Sequence, residues 1–323
     1  MKIYLIRLSI SLWLGILCSS FAMGQNFPSK PIKVVVPFGP GGIADLTARI
    51  VAQKMSTRLG QSVVVDNKPS AGGIVAADMV AKAEPDGYTL LLMSNGTAIT
   101  ANLFQKLSFD PIKDFEPLST IGYFDIAIVV NDNSKHLQLK DLVSTAQNNP
   151  GKLNVASINI GSTQHLAAEL FKNSANLDIQ VVPFNGTPAV ITALRGGQVD
   201  AAVEILGPLV PQIRSKAIRL LAVTGAKRSV FFPDIPTASE AGLKNFSASS
   251  WNALAAPAKT PSAIIEILNK SIVEAVNDPE VKSKLQDIFV EAQASTPKEM
   301  KLLLESDIKR WGNIIDKAHI PKQ

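Results

Sequence analysis

The sequence from Ile32 to Gly42 reads IKVVVPFGPGG and predicts a strand that leads through a glycine-rich loop into a helix. The β-branched residues over 32–36 favour a buried strand, which Pro37 ends. Beyond the loop, apolar side chains recur at helical spacing until Gly60, a typical helix terminator. Strand, loop and helix in this order form the repeating unit of a parallel sheet with right-handed crossovers. This stretch therefore indicates an α/β fold.

The same unit recurs in two runs along the chain. In the first run, the predicted strands and the glycine-bearing or polar loops after them are 32–36 with 38–42, 62–65 with 70–73 and 88–93 with 94–97. In the second run they are 153–157 with 161–163 and 179–182 with 185–187. Two further strands of the second run are predicted over 199–203 and 218–223. Open α/β sheets bind ligands at the carboxyl ends of their strands, where these loops lie. We therefore predict two doubly wound lobes with a ligand cleft between them.

The predicted lobe boundaries depend on a strand over 124–130, which we expect to cross between the lobes. Lobe 1 is expected to comprise residues 25–124 and about 224–323, and lobe 2 residues 125–223. Three helices are predicted in the C-terminal part of lobe 1, and the last of them begins with a Thr296/Glu299 capping box. We assign these helices to packing.

Residues 1–24 have the pattern of a secretory signal peptide that is removed on export. Two basic residues precede a short apolar run, and small residues follow it, so cleavage is expected after Gly24 or, alternatively, after Ala22. The apolar run is too short to span a bilayer. Lipid anchoring at Cys18 is not expected, because Leu17 is bulkier than lipoprotein processing usually accepts. The sequence thus predicts a periplasmic protein.

The overall composition excludes several classes of protein. A chain of 323 residues is long enough for about two domains. A hydrophobic content of 46% with a net charge of +5 excludes intrinsic disorder, and a single cysteine excludes a disulfide scaffold. The positive charge is not clustered on one segment, so we expect no nucleic-acid partner. We also expect a monomer without a cofactor.

The glycine-rich loops are suited to holding an anion. A turn from a strand into a helix points several backbone N–H groups at one place, and the helix dipole adds about half a positive charge there. Residues 38–44 fit this description and residues 71–74 repeat it one strand over, so the two turns could hold both oxygens of a carboxylate. Such turns also occur simply to let a helix pack closely on a sheet. Asp45, in the first helical turn, is interpreted as a structural cap.

The first loop also matches a dinucleotide-binding motif. Gly39, Gly41 and Ala44 fit the pattern G-x-G-x-x-G/A, and Asp66 ends the second strand about 20 residues later. Taken alone, this pattern supports a nicotinamide-dependent dehydrogenase. Two prolines stiffen the turn that would wrap the pyrophosphate, and an export signal is at odds with a cytoplasmic cofactor.

Catalytic constellations are scarce in this sequence. No pair among the three histidines has metal-ligand spacing, and the common hydrolase, zinc-protease and phosphate-loop motifs are absent. His165 could donate to a ligand, or it could satisfy backbone groups at a helix start. Asp200 and Glu204 could pair as acid and base; alternatively one caps a loop and Glu204 enters the cleft to select a ligand amine or hydroxyl. We predict no catalytic and no metal-binding residue.

Short motifs spread along the whole mature chain point to one family. They are FPSKPI at 27–32, VPFGPGG at 36–42, VDNKP at 65–69, AGG at 71–73, PDGYTL at 85–90, GGQVD at 196–200 and PDIPT at 233–237. Together they resemble the extracytoplasmic solute-binding receptors of the tripartite tricarboxylate transporter family. The resemblance implies a two-lobed flytrap, like a type II periplasmic binding protein, that closes on a small carboxylate and delivers it to membrane transporter subunits.

The resemblance also implies where the ligand binds. The expected contacts are Phe38, Gly39, Gly41, Gly42, Ile43, Ala71, Gly72 and Gly73 in lobe 1, and Ser157, Gly161, Ser162, Thr163, Asn185, Gly186 and Thr187 in lobe 2. The strand ends and loops described above add Ser94, His165 and Glu204 to these candidates. Ile43-Ala44 and Asn159-Ile160 stand where relatives commonly have Gly-Thr and Gly-Asn. The cleft is therefore expected to be more apolar, and its ligand to carry an apolar or aromatic body.

These observations together predict a periplasmic, non-enzymatic receptor for a small organic carboxylate. The alternative from another class is an exported module that senses the same kind of ligand and signals to a membrane kinase. An enzyme, in particular a nucleotide-dependent dehydrogenase, is the remote third interpretation.

Overall fold

The computed structural model describes residues 27–244, 246–317 and 319–323. The signal peptide predicted over 1–24, its two alternative cleavage sites and Cys18 lie outside these residues. Within the described ranges, no helix combines the length and the apolar composition that crossing a membrane requires.

Ten strands and ten α-helices make up the described part of the chain. The strands are β1 (Ile32–Val36), β2 (Val63–Asn67), β3 (Thr89–Ser94), β4 (Phe115–Asn131), β5 (Asn154–Ile158), β6 (Gln180–Phe184), β7 (Ala201–Ile205), β8 (Ile218–Val223), β9 (Ser249–Pro257) and β10 (Glu291–Ala292). The helices are α1 (Ile43–Leu59), α2 (Ile74–Ala81), α3 (Asn95–Leu103), α4 (Leu139–Asn148), α5 (Thr163–Ser174), α6 (Thr187–Arg195), α7 (Leu206–Arg214), α8 (Ser262–Asn277), α9 (Pro279–Asp287) and α10 (Pro297–Lys317). A 3₁₀ turn, Ala71–Gly73, precedes α2.

The long strand β4 connects the two halves of the molecule. The strand order is β2-β1-β3-β9-β4-β7-β5-β6, with β8 and β10 also paired to β4. Residues 115–125 of β4 pair with β9, whereas residues 126–130 pair with β7. The sheet partners therefore change between Asp125 and Ile126, and each part of β4 belongs to the sheet of a different lobe.

Each lobe combines parallel and antiparallel strand pairs, whereas the sequence predicted parallel pairs alone. β1 is parallel to β2 and β3, and β5 is parallel to β6 and β7, as the strand–helix unit requires. β9 runs antiparallel to β3 and β4, and β8 runs antiparallel to β4. β9 was missed because its sequence, SSWNALAAP, contains no β-branched residue and alternates poorly.

Residues 94–97, predicted as a loop, are instead the end of β3 and the start of α3. The Ser94 Oγ accepts a hydrogen bond from the Gly96 N–H at 3.1 Å, and the Ser94 N–H donates to the Thr97 Oγ1 at 3.3 Å. This reciprocal pair is a helix cap. The polar composition that indicated a loop was therefore the signal of a helix start.

The C-terminal helices pack against lobe 1, with α8 and α10 on β4. Leu268 and Ile272 of α8 and Trp311 of α10 are fully buried in this interface. The predicted capping box at the start of α10 is confirmed, since the Thr296 N–H donates to the Glu299 carboxylate at 2.8 Å and the Glu299 N–H donates to the Thr296 Oγ1 at 3.2 Å.

Candidate functional site

The N-termini of three helices meet at one cavity between the lobes. α1 comes from lobe 1, and α5 and α6 come from lobe 2. The cavity has a volume of about 30 Å³. It is lined by Phe38, Gly39, Gly42, Ile43, Ala44, Ser94, Phe124, Ile158, Asn159, Thr163, Gln164, Gly186, Thr187, Ile205, Ser250 and Asn252. We call it the main cavity.

The helix ends at the main cavity keep backbone donors free. The first four N–H groups of any helix lack a partner within the helix. Gly42 precedes α1 and Gly186 precedes α6, and neither of these glycines offers a capping side chain. At the start of α6, Pro188 has no N–H and the Ala189 N–H donates to the Gly186 carbonyl at 3.1 Å, which leaves the Thr187 N–H. Ser162 caps α5 by accepting from the His165 N–H at 3.1 Å, so the earlier N–H groups of that helix stay uncapped. Donors and positive dipole ends from both lobes therefore face one small space.

The charges around the main cavity suit an anion held without a counter-ion. None of the described residues that line it is a lysine, arginine or histidine. Lys135 and Arg195 are exposed and lie outside the lining. One carboxylate is thus matched by the backbone, whereas a second would find no cationic side chain here.

Asp45 has the structural role that the sequence suggested. Its Oδ2 accepts from the Gly41 N–H at 3.0 Å, and its Oδ1 accepts from Arg49 Nε at 2.9 Å and Asn67 Nδ2 at 3.0 Å. Burial alone would raise the pKa of Asp45, but these hydrogen bonds and the Arg49 charge hold it below its usual value. Its negative charge therefore fixes the loop before α1 and is compensated by Arg49.

A second, smaller cavity adjoins the main one beside the turn over 71–73. Its volume is about 10 Å³, and Phe38, Ser94 and Asn159 border both cavities. The Gly72 N–H donates to the Ile160 carbonyl of the opposite lobe at 2.6 Å. The Gly72 N–H, one of the donors predicted to bind an anion, is thus used in a contact between the lobes.

The predicted site residues fall into three groups. Those lining the main cavity are Phe38, Gly39, Gly42, Ile43, Ser94, Thr163, Gly186 and Thr187. Those lining the second cavity are Phe38, Gly72, Gly73, Ser94, Gly161 and Ser162. Those lining neither cavity are Gly41, Ala71, Ser157, His165, Asn185 and Glu204.

Sequence reasoning missed several residues of the main cavity wall. Ser250 and Asn252 come from β9, and Gln164 is the second residue of α5. No glycine loop marks β9, so no sequence signal placed it at a cleft. Gln164 follows the predicted loop over 161–163 directly, and a wider window around that loop would have included it.

The lobes touch each other around both cavities. Thr163 Oγ1 lies 3.1 Å from Ser250 Oγ across the cleft, in a contact where either hydroxyl can donate. A Cβ built on Gly161 would lie 2.8 Å from the Gly72 Cα and 3.2 Å from the Gly72 nitrogen. Backbone meets backbone at this point, so the structure is a closed form of the two lobes.

Glu204 lies behind the main cavity wall at the end of β7, where it is fully buried. Its Oε1 accepts from Gln164 Nε2 at 2.9 Å and from the Ile205 N–H at 2.7 Å, whereas Oε2 has no hydrogen-bond partner among the described residues. Burial raises the pKa of Glu204 to about 7, although the hydrogen bonds from Gln164 and Ile205 favour the charged form. The nearby Thr187 side chain also favours the charged form and so lowers this pKa, although Oε2 has no hydrogen bond of full geometry to it. Glu204 therefore does not line the cavity itself, and its link to the cavity is the hydrogen bond that it accepts from Gln164, which does.

His165 is a second buried titratable group near this cavity, and burial shifts its pKa downwards rather than upwards. Its ring is buried in the first turn of α5, its Nδ1 has no partner among the described residues, and burial lowers its pKa to about 4. Because the folded state holds this histidine neutral, its contribution to stability grows as the pH rises from about 4 to about 6.5. The backbone N–H of His165, rather than its ring, donates to the Ser162 cap, so the side-chain roles that the sequence left open stay predictions.

A Glu204→Gln variant isolates the effect of the buried carboxyl. A carboxyl whose pKa is raised on folding binds its proton more tightly in the folded state, so its contribution to stability falls as the pH rises from about 4.5 to about 7. The free energy of unfolding of the wild type minus that of Glu204→Gln is expected to fall by ~3 kcal/mol across this window. Urea denaturation of both proteins at several pH values measures this difference, and the subtraction removes the His165 contribution. A difference that is constant with pH would show that Glu204 titrates normally.

The sequence profile described as "Tripartite tricarboxylate transporter family receptor" matches residues 47–320 of this chain. The chain therefore belongs to this family, and the resemblance seen in its motifs is confirmed. Among curated relatives, a UPF0065 protein encoded in the tcbD-tcbE intergenic region of Pseudomonas sp. strain P51 is 36% identical over 290 residues, which cover 90% of this chain and 86% of the relative. Protein BugT of Bordetella pertussis is 34% identical over 293 residues, which cover 90% of each chain.

Solved structures confirm the two-lobed fold. The periplasmic binding protein BugD superposes with a TM-score of 0.87 at 30% identity, covering 92% of this chain and 100% of that one. MatC of Rhodopseudomonas palustris with bound malate superposes with a TM-score of 0.85 at 32% identity, covering 90% and 100%. A further R. palustris protein, solved with adipate, has a TM-score of 0.87 at 32% identity, covering 91% and 99%. This chain thus has the fold of the periplasmic binding proteins and is a solute-binding receptor of their kind. Asp66, the acidic residue of the dinucleotide-binding pattern, pairs with Lys68 at 3.2 Å and with Lys33 at 3.9 Å.

Proposed function

We propose that this receptor captures one small organic carboxylate in the main cavity and releases it to a tripartite tricarboxylate-type transporter. The observation that carries the proposal is the meeting of three helix N-termini from both lobes at a cavity in whose wall the described residues place no basic side chain. Such ends attract an anion through free N–H groups and the helix dipole. A ligand that touches both lobes stabilises the closed form over the open one.

Two neighbours in structure support a carboxylate as the ligand. MatC was solved with malate and the other R. palustris protein with adipate, and both superpose on this chain over nine-tenths of its length. We propose that the ligand contacts in this chain are the predicted residues that line the main cavity, together with Gln164, Ser250 and Asn252.

The body of the ligand is proposed to be apolar. Ile43, Ala44, Phe124, Ile158 and Ile205 supply much of the main cavity wall. Ile43 and Ala44 form one of the two departures from the family pattern that were noted in the sequence. Since no lysine, arginine or histidine lines this wall in the described chain, a monocarboxylate fits its charge better than a tricarboxylate.

The receptor is proposed to work in the periplasm as a non-enzymatic monomer. Export would follow from a signal peptide over 1–24, removed after Gly24 or Ala22. We place lobe 1 at residues 25–124 and about 224–323, and lobe 2 at residues 125–223. The change of β4 partners between Asp125 and Ile126 supports the first of these boundaries. Family membership favours delivery to a transporter over signalling to a membrane kinase.

A thermal-shift screen tests the proposed function. The mature protein is unfolded and refolded to remove any co-purified ligand, and is then heated with mono-, di- and tricarboxylates, aromatic acids and amino acids. A ligand at a hundredfold excess over its Kd adds about 2.7 kcal/mol of stability and raises the melting temperature by a few degrees. We expect such a shift with a monocarboxylate that has an apolar body. A flat response to every carboxylate would contradict the proposal.

A further inference from the structure

Two residues of the main cavity wall, Asn159 and Asn252, carry a buried side-chain oxygen that has no hydrogen-bond partner among the described residues. Asn252 lines the cavity from β9 and is only 1% exposed. Its Nδ2 donates to the Thr47 Oγ1 at 2.6 Å, whereas its Oδ1 is buried and has no partner among the described residues. A buried carbonyl oxygen of this kind needs a donor, because leaving it unpaired costs free energy.

The orientation of the Asn252 amide is fixed by its neighbours. The Thr47 Oγ1 lies 2.8 Å from the Ile43 carbonyl and 3.1 Å from the Ala44 carbonyl, so its proton is donated to the α1 backbone. With its proton engaged there, the hydroxyl can only accept from Asn252. The NH₂ end of Asn252 must therefore face Thr47, and exchanging the nitrogen and oxygen of this amide would place two acceptors against each other.

Gln164 presents a similar amide from the opposite lobe. Its Nε2 donates to Glu204 Oε1 at 2.9 Å, and that oxygen also accepts from the Ile205 N–H. The NH₂ end of Gln164 is thus engaged behind the wall, which leaves its carbonyl end for other partners. Both lobes therefore contribute to the main cavity an amide whose NH₂ group already donates one hydrogen bond within the protein.

The structure points to a ligand that carries a hydrogen-bond donor beside its carboxylate. We propose that the ligand is a hydroxycarboxylate whose hydroxyl donates to Asn252 Oδ1, with Gln164 as a further acceptor; this rests on the proposed function. A hydroxyl is favoured over an ammonium group because three positive helix ends face the cavity and no acidic side chain lines it in the described chain. An ammonium group there would be a buried charge without a partner.

Matched pairs of acids test this inference. The refolded protein is titrated with lactate and propionate, 3-hydroxybutyrate and butyrate, mandelate and phenylacetate, and malate and succinate, and with alanine as the ammonium analogue of lactate. We expect the hydroxy acid to bind at least about 10-fold more tightly than its deoxy partner in at least one pair, within the ~5- to 150-fold range that one buried unpaired acceptor implies. We also expect lactate to bind more tightly than alanine.

Variants then locate the acceptor. Asn252→Leu removes it at similar size, and we expect the preference for the hydroxyl to fall to about threefold or less while the deoxy acid still binds. Asn252→Ala serves the same purpose where Asn252→Leu does not fold. Asn95→Leu is the matched control, because Asn95 is also buried, donates through Nδ2 to the Ser249 carbonyl at 2.6 Å, has an unpartnered Oδ1 and lines neither cavity. Asn95→Leu is expected to keep the wild-type preference.

The outcomes separate this inference from the proposed function. Deoxy acids that bind as tightly as their hydroxy partners would overturn the hydroxycarboxylate and leave the carboxylate receptor in place, since water would then satisfy Asn252. Tighter binding of alanine than of lactate would also overturn it, and so would a preference that Asn252→Leu and Asn252→Ala leave unchanged. Binding of no carboxylate at all would overturn both the inference and the proposed function.

Discussion

A Gly42→Asp variant is expected to lose carboxylate binding by more than about 100-fold while its fold stays at least as stable. Gly42 precedes α1 with φ −84° and ψ 169°, an extended conformation that aspartate adopts readily, and aspartate is a preferred residue at this helix position. A Cβ there would lie 3.6 Å from the Thr187 Oγ1, which is an ordinary contact. The new carboxylate would occupy the free N–H groups of α1 and repel the ligand by ~4 kcal/mol at about 4 Å with an effective dielectric constant of about 20.

Calorimetric titration and urea denaturation measure the two effects of Gly42→Asp separately. Gly42→Ala is the control, because it adds the same Cβ without the charge, and we expect it to retain affinity within about 10-fold of the wild type. Equal affinities of Gly42→Asp and Gly42→Ala would show that the ligand carboxylate lies away from the α1 N-terminus.

A Gly161→Ala variant is expected to weaken ligand binding about 10- to 100-fold by obstructing closure. The added Cβ would meet the Gly72 Cα at 2.8 Å and the Phe104 ring at 3.1 Å, and both of these residues belong to the opposite lobe. Overpacking of this kind costs about 1–3 kcal/mol, and here the strain is relieved by separating the lobes. The closed form, and with it the affinity for a ligand that bridges the lobes, is therefore disfavoured.

Gly197→Ala separates closure from backbone strain. Gly161 and Gly197 both have a positive φ, +85° and +69°, but a Cβ on Gly197 would have nothing within 4 Å. Both substitutions add the cost of alanine in the left-handed region, about 1 kcal/mol. We expect calorimetry to show weaker ligand binding in Gly161→Ala alone, and small-angle scattering with saturating ligand to show a larger radius of gyration for it. Wild-type affinity in Gly161→Ala would mean that the chain around Gly161 can move away from Gly72 without any effect on the ligand site.

Local sequence signals placed the parallel part of each sheet well. β1 and α1 begin where the β-branched run and the glycine loop indicated, and the antiparallel strand β8 also has the predicted bounds. These elements alternate along the chain, so short-range patterns define them. β9 escaped because most of its residues are small and all after the first are buried, and such a strand has neither alternation nor β-branching. α3 escaped because its cap, Ser94 with Thr97, has the composition of a loop.

The candidate site was predictable where it is built from loops between strands and helices. Gly42, Ile43, Thr163 and Thr187 were candidates because each lies at or beside a helix start after a strand, and all four line the main cavity. Asn252 was not a candidate, because it reaches the cavity through the pairing of β9 with β3 and β4 across more than a hundred residues. Such a long-range pairing leaves no trace in the residues around position 252.

Calorimetric titration of the refolded protein with a monocarboxylate from the thermal-shift screen, and with the primary amide of the same acid, tests charge recognition at the helix ends. The amide keeps the size and shape of the acid but lacks its charge. Three helix N-termini at a cavity that no basic side chain of the described residues lines predict that the acid binds at least about 100-fold more tightly than its amide. Equal affinities of the acid and the amide would contradict the capture of a carboxylate in this cavity.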